Sequence, residues 1–479
     1  MSRLKLFVEN FFVYGFANIA GKIVPLIMLP VVTRLVPDTT IYGINDVLNV
    51  VASFASTFAV LGMYDAMFRL YFDKEDHLYR STVCSSALAV VLRSGVVASV
   101  AIMILSKPLS RVFFNTDVYY PWLMLIGLQV LVSAVGSIVK APTRIQNKRK
   151  IFVVVSVLNP VISYSVSIPL IIFVDPLFGL VFGAFSTSIA DLFIFWILNK
   201  NWFKGKMNKK LAVDLMKFGL PLVPNLLVFW VFNSFDRIMI SSILGPSYNG
   251  IYAVGARVAH ISQLIYIAFA GGWQYFAFST MHDKDYKEMM SKIWRILAAI
   301  SFISWSLIYP FNELIFNLLF KGDYVNGSQV FPYLFLSPLL LMLYQIIGTQ
   351  FQVIKKTHFS PICLSIGAGV NIILNLFLIP EFGIEGAALA TLLGYTTSVI
   401  LAASIACKKG LLIFQSKTII NILFFAFVMI FKRLTEPGLL VSLALSLAYI
   451  LITLLTYKRD ISEMLNRFLK RKSARKEGI

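Results

Sequence analysis

The chain has 479 residues, 58% of them hydrophobic, and a mean hydropathy of +0.79, which excludes a soluble globular domain. A formal charge of +20 would point a soluble chain toward nucleic acid, but here Lys and Arg lie between long apolar runs, where they orient membrane spans instead. Three cysteines without paired spacing and four scattered histidines offer no disulfide framework, metal site or cofactor site, and Cys84, Cys363 and Cys407 read as small buried hydrophobes.

Fourteen apolar spans are predicted, at 9–33, 41–64, 82–105, 119–140, 151–174, 177–198, 217–244, 250–273, 293–319, 329–353, 360–380, 384–406, 412–431 and 438–457. This is the pattern of an all-α polytopic membrane protein. Met1–Asn10 has only a short basic start and the apolar run from Phe11 outlasts a signal-peptide core, so no cleavable leader is expected. Lys and Arg fall on alternate loops: 33 of the 43 lie on one side, against Arg34, Lys107, Arg111, Lys321, Lys432 and Arg433 on the other. The positive-inside rule then places both termini in the cytoplasm. The basic loops Thr143–Lys150 and Asn199–Lys210 read as topology signals against anionic headgroups, and the tail from Lys458 as a short amphipathic helix on the bilayer surface.

Within the spans, ionisable residues stand out because each is expensive in hydrocarbon and normally faces a bundle interior or a watery cavity. Lys22 in span one and Arg93 in span three are each on the order of 16 Å from water, near the midplane; the alternative for both is snorkelling or an isolated structural pair. Asp46 lies near the start of span two, where it is either a partner for Lys22 or Arg34 or a solvated helix end. In span seven come Asp236 and Arg237, and in span eight Arg257. Counting from the turn Gly245–Gly250, both arginines are roughly 10 Å deep and therefore at one level. Neighbouring helix residues point apart, so Asp236 is expected to answer a cation on another helix, such as Arg257. The four cations Lys22, Arg93, Arg237 and Arg257 are the candidate substrate-binding residues. Asp236 and Asp46 are candidates for ion coupling or charge pairing.

An internal repeat recurs at 205 to 209 residues. Pro37–Gly43 (PDTTIYG) after span one matches Pro246–Tyr252 (PSYNGIY) after span seven; QNKRKIF at 146–152 matches QVIKKTHF at 352–359; FGLVFGA at 178–184 matches FGIEGA at 382–387. Six spans per unit is even, so the copies share one orientation. The expected architecture is two parallel six-helix lobes around a central cavity, 1–200 and 201–410, with two extra C-terminal helices over 411–457 and a basic cytoplasmic tail over 458–479. Prolines Pro25 and Pro30 in span one and Pro221 and Pro224 in span seven occupy corresponding helices and predict matched bends. No catalytic constellation is present. Gly15 to Lys22 has the wrong spacing and Ile23 where a phosphate loop needs Ser or Thr, and no loop pairs carboxylates or a His with a nucleophile.

The run Asp236-Arg237-Ile238-Met239-Ile240, Leu244-Gly245, Gly250-Ile251-Tyr252-Ala253, with the basic loop before span five and the Phe-Gly-Ile-Glu-Gly-Ala start of span twelve, resembles the polysaccharide exporters known as Wzx-type or O-antigen flippases, within the multidrug/oligosaccharidyl-lipid/polysaccharide exporter superfamily. The resemblance implies alternating access, no enzyme activity and no cofactor. Its cargo would be an undecaprenyl-pyrophosphate-linked oligosaccharide carried from the cytoplasmic to the outer leaflet of a bacterial inner membrane. A cationic lumen suits such a cargo, because guanidinium presents a planar fork to phosphate oxygens. Partners would be membrane lipids, a coupling proton or sodium ion, and polysaccharide assembly proteins. A lipid II flippase of the same superfamily shares the span count, a cation-coupled multidrug exporter would want a net acidic cavity, and a membrane polymerase or ligase would need a large reactive outer loop. Reporter fusions at Lys148 and at the C-terminus are expected to signal the cytoplasmic side, and a fusion at Asn115 the outer side; an outward signal from Lys148 overturns this orientation.

Overall fold

The computed structural model describes residues 21–476, and every regular element among them is a helix. The chain divides into two compact units. The first takes the chain up to Val258 with Leu319–Gln329 and Asn371–Ala390; the second takes Ala259–Leu318, Val330–Val370 and Thr391 onward.

The first unit begins with α1 (21–35). It continues through α2 (Thr39–Val60), α3 (Met63–Tyr71), α4 (His77–Phe114), α5 (Tyr120–Ile145), α6 (Arg149–Phe173), α7 (Pro176–Asn199), α8 (Lys209–Gly219), α9 (Val223–Trp230), α10 (Asp236–Ile243) and α11 (Pro246–Ala259). Asp38, Asp76, Asp175 and Asn208 start α2, α4, α7 and α8 by accepting from the N–H groups of Thr40, Tyr79, Phe178 and Leu211, which satisfies donors that a helix N-terminus leaves open. At 38 residues, α4 is about 57 Å long and overruns a hydrocarbon core of about 30 Å. Its early turns are covered by the connection to α8, where the Asn208 N–H donates to Ser86 Oγ at 3.0 Å. From α8 to α10 the chain is one span with two defects, a 3-10 turn at Leu220–Leu222 over Pro221 and a π turn at Val231–Phe235. By contrast, α1 stays helical through Pro25 and Pro30. The two proline-bearing helices therefore do not break alike.

The second unit holds α12 (Gln263–Ser279), α13 (Tyr286–Ile308), α14 (Asn312–Leu319), α15 (Phe331–Val353), most of α16 (Phe359–Lys408), α17 (Ser416–Thr435) and α18 (Leu439–Lys476). A ladder of polar contacts fastens α17 and α18 to α13. At one end Asp460 takes Lys417 Nζ at 3.1 Å and Arg295 Nη2 at 3.5 Å. Midway, Asn421 Nδ2 donates to Thr453 Oγ1 at 2.9 Å and the Tyr449 hydroxyl to Asn421 Oδ1 at 3.1 Å, beside Phe302 stacked on Phe425. At the other end Lys432 Nζ donates to Ser446 Oγ at 2.6 Å under the rings of Tyr309 and Trp305. Lys432 is thus fully buried, not the outer-surface residue that its place in the charge pattern suggested. Aromatic faces and one hydroxyl take the place of water around its ammonium group. The tail is not a separate surface helix either, since α18 runs unbroken to Lys476. Cys84 and Cys363 are buried as expected, but Cys407, near the end of α16, is exposed.

Among the described residues, eleven helices are long and apolar enough to cross a membrane. The spans expected at 360–380 and 384–406 run together as α16, which turns at Gly383 (φ 59°, ψ −139°). The one expected at 250–273 is α11 and α12 joined by a 3-10 turn at His260–Ser262, and the first, 9–33, lies largely outside the described residues.

The crossing of α2 and α11 brings the two backbones into direct contact. A Cβ on Gly43 of α2 would lie 1.8 Å from the Pro246 carbonyl oxygen, and a Cβ on Gly250 of α11 would lie 2.0 Å from that of Thr39. The contact is reciprocal, because one offset of 207 residues relates Gly43 to Gly250 and Thr39 to Pro246. Thr39 Oγ1 and Ser247 Oγ meet at 2.5 Å beside it. Neither backbone can yield without parting the helices, so Gly43→Ala or Gly250→Ala is expected to cost about 1–3 kcal/mol or more by overpacking. Gly369→Ala, with nothing within 4 Å, should be neutral or slightly stabilising. Thermal unfolding in detergent separates the two cases; a Tm for Gly43→Ala equal to that of Gly369→Ala would mean that the crossing tolerates a side chain.

Candidate functional site

Where α2 and α11 touch, four ionisable residues come together with two tyrosines and an asparagine. The π turn ends at Phe235, and the next residues, Asp236 and Arg237, face different neighbours as successive helix positions must. Arg237 reaches α2, with Nη1 at 2.9 and 3.0 Å from the two oxygens of Asp46. Arg257, on the last turn of α11, places Nη2 3.5 Å from the same Oδ1 and lays its guanidinium over the Tyr42 ring at 5.1 Å. Asn249 Nδ2 bridges the Gly43 carbonyl at 3.0 Å and Asp46 Oδ2 at 3.4 Å. One turn away, Asp236 accepts from the Tyr252 hydroxyl and from the Arg237 backbone N–H.

Burial sorts these groups. The Asp46 side chain is 1% exposed and that of Arg237 is 14%, whereas that of Arg257 is 39%. A buried carboxylate is tolerable only when paired and hydrogen-bonded, and removing one partner of such a pair leaves the other charge uncompensated. Arg237 meets Asp46 on both oxygens. Arg257 shares one oxygen at longer range and keeps surface free, so of the two it is the cation able to take another anion.

Several sequence expectations change. Asp46 is not a solvated helix end; it is the shared carboxylate of the cluster, held by Arg237 and Arg257 where Lys22 or Arg34 was the expected partner. Asp236 accepts from the Tyr252 hydroxyl. Arg237 and Arg257 do lie at one level, both on Asp46. Arg93 stands apart: it is exposed, and its Nη2 lies 3.5 Å from Met207 Sδ. That contact follows from the connection between α7 and α8, which packs over the first half of α4 within reach of a long arginine. Lys22 is also exposed, at the second described position of α1. Instead of an excess of cations, the cluster pairs two arginines with two aspartates and is formally neutral. Sequence reasoning missed Tyr42, Asn249 and Tyr252 as site residues, although all three lie in the first repeat match. A second charged group, at Asp191, joins Asn159 Nδ2 at 2.9 Å and Lys140 Nζ at 3.7 Å between α5, α6 and α7. Among the described residues no group of three His, Cys, Asp or Glu is placed to hold a metal. Outside the spans, burial raises the carboxyl of Asp65 on α3 above its ordinary range, with Arg144 opposing.

A family profile described as "Polysaccharide biosynthesis protein" matches residues 31–321, more than half of the chain. Among curated proteins, the probable low-salt glycan biosynthesis flippase Agl15 of Haloferax volcanii is 26% identical over 205 residues, 41% of this chain and 43% of that protein. An uncharacterized membrane protein of Methanocaldococcus jannaschii, MJ1068, is 27% identical over 193 residues, 39% of this chain and 38% of that one. The chain thus spans about two-fifths of the length of the curated relatives it matches. Among solved structures, the lipid II flippase MurJ in an inward closed conformation superposes with a TM-score of 0.69 at 17% identity, covering 94% of this chain and all of that one. An inward-facing multidrug resistance MATE transporter of the MOP superfamily gives 0.59 at 14%, over 82% and 94%. These likenesses show the fold. The chain is a multi-pass membrane protein belonging to the polysaccharide biosynthesis protein family.

Proposed function

We propose that this protein is a flippase, not an enzyme, that carries a polyprenyl-pyrophosphate-linked oligosaccharide, in a bacterial membrane the undecaprenyl form, from the cytoplasmic to the outer leaflet by alternating access between two six-helix lobes. The observation that carries this reading is the unequal hold of two arginines on one buried carboxylate. An entering pyrophosphate competes with Asp46 for Arg257 and offers it a bidentate, charge-assisted partner. Arg237 stays on Asp46, so no charge is stranded during the exchange. Lys22 and Arg93, both exposed, are proposed to add positive charge along the cargo's path. The sugar would cross within the cavity while the polyprenyl tail remains in lipid.

Agl15 is named as a probable glycan biosynthesis flippase, which supports the cargo class. The multidrug alternative fits the cluster less well. A cationic drug needs an available carboxylate, but Asp46 already answers two guanidinium groups and Asp236 answers Tyr252 and a backbone N–H. Energy for net export would come from proton or sodium exchange, since one charge crossing the potential is worth about 2.3 kcal/mol per 100 mV; Asp236 is the proposed coupling carboxylate. Assembly proteins that make and polymerise the repeat unit would be its partners.

The two arginines should fail differently. Arg257→Gln is expected to insert and fold normally yet abolish surface polysaccharide, with lipid-linked oligosaccharide accumulating on the cytoplasmic leaflet, while Arg257→Lys keeps partial export. Arg237→Ala is expected to cost about 3–5 kcal/mol of stability, because it deprives buried Asp46 of its principal partner. Identifying the accumulated lipid separates the cargoes. Accumulated peptidoglycan precursor indicates a lipid II flippase, lost resistance to cationic drugs a multidrug exporter, and undiminished export in Arg257→Gln refutes the phosphate hook.

A further inference from the structure

We infer that the 3-10 segment Gly322–Gln329 is an outer latch, pinned by Tyr324, that must lift before cargo leaves toward the outer leaflet. The latch rests on the alternating-access mechanism proposed for this protein and adds to it the part that moves. The segment joins α14 to α15, and the chain up to Leu318 and from Val330 belongs to the second unit, yet Leu319–Gln329 is part of the first. Gly322 makes that departure possible: at φ +60° it turns the chain where a residue with a Cβ would be strained.

Within the segment, Tyr324 is the side chain that reaches the turn between α1 and α2. Tyr324 is completely buried. Its hydroxyl donates to the Val36 carbonyl at 2.8 Å and lies 3.3 Å from that of Asp38. These carbonyls belong to the turn between α1 and α2, where a helix end leaves acceptors without partners. With Val36 itself fully buried, no water is at hand to replace that bond. The ring stands edge-on to Tyr42 at 5.9 Å, and the Tyr42 ring carries Arg257 at 5.1 Å. A chain of contacts therefore runs from Asp46 through Arg257 and Tyr42 to the latch. If an anion draws Arg257 off Tyr42, the support beneath Tyr324 changes.

The same end of the first unit is tied elsewhere as well. Ser241 Oγ and Ser242 Oγ donate to the Phe113 and Val112 carbonyls at 2.7 and 2.8 Å, and Asn115 Nδ2 donates to the Ser242 carbonyl at 3.1 Å. Those bonds join α10 to the end of α4; the Ser242 and Asn115 bonds lie at exposed or half-exposed groups that water can replace as the helices part, whereas Ser241 is fully buried. Tyr324, like Ser241, is a tie that water cannot easily substitute, and it is the one carried by the Gly322–Gln329 segment.

The test uses the full-length protein in cells, with Cys84, Cys363 and Cys407 replaced by serine and Val36→Cys as the reporter. A membrane-impermeant maleimide is added from outside. With Tyr324 present, labelling is expected to be slow. Tyr324→Phe, which removes only the hydroxyl, is expected to speed labelling on the order of five-fold, the worth of one net hydrogen bond, and Tyr324→Ala to speed it further. Acceleration by neither variant, or by Tyr324→Ala alone, overturns the hydroxyl latch. Labelling reads the latch whatever the cargo is. Export measured in Arg257→Gln reads the flippase proposal independently, so the two can fail separately.

Discussion

One carboxylate held between two guanidinium groups is the interaction on which the rest of this structure turns. Asp46 is as buried as the apolar core around it, and a carboxylate there without partners would be costly to bury. Its partners come from α10 and α11, and they can reach it only because α2 and α11 cross at Gly43 and Gly250 with carbonyl oxygens where side chains would otherwise stand. Close backbone approach and charge pairing are therefore one device. Widening the crossing would lengthen the contacts of Arg257 and Asn249 to Asp46, and losing the ion pairs would leave a buried charge pressing the helices apart.

The asymmetry of that device is what the proposed transport would use. A buried pair with both members saturated is a fastening, and the second unit shows what that looks like: Lys432 is enclosed by Ser446 and two rings, with no surface left for a ligand. Asp460 and its two cations likewise tie α18 to α13 and α17. In the first unit, by contrast, Arg257 is tied on one side and open on the other. In the proposed function a cluster that is formally neutral at rest would accept a divalent headgroup by exchanging partners, without first exposing an unpaired cation to hydrocarbon. The same arginine rests on Tyr42, so the charge cluster and the packing of Tyr42 against Tyr324 share one side chain.

Much of this was legible in the residues. The apolar runs mark a helical membrane protein, and the matched segments after Pro37 and Pro246 contain the glycines at which α2 and α11 touch. Counting 1.5 Å per residue from Gly245–Gly250 already put Arg237 and Arg257 at one depth. Resemblance to polysaccharide exporters was carried by the same hairpin. The roles within the cluster were not legible. Asp46 looked like a helix-end residue because five residues from a span boundary reads the same whether water or another helix lies beyond. Its partner Arg237 is 191 residues away in sequence. Arg93 looked central because position along a helix says nothing about which loop folds back over it.

The sequence by itself determined what depends on a window of about twenty residues: that the chain is built of long apolar helices, and how far along its helix each charge stands. Those quantities follow from hydrocarbon thickness and helical rise, both local. Only the tertiary structure decided which charge answers which, that Lys432 is enclosed, and that a short segment between α14 and α15 belongs with the first unit. Partner choice is set by the simultaneous packing of helices far apart in the chain, where a shift of one helix turn exchanges every neighbour, and no single stretch carries that information.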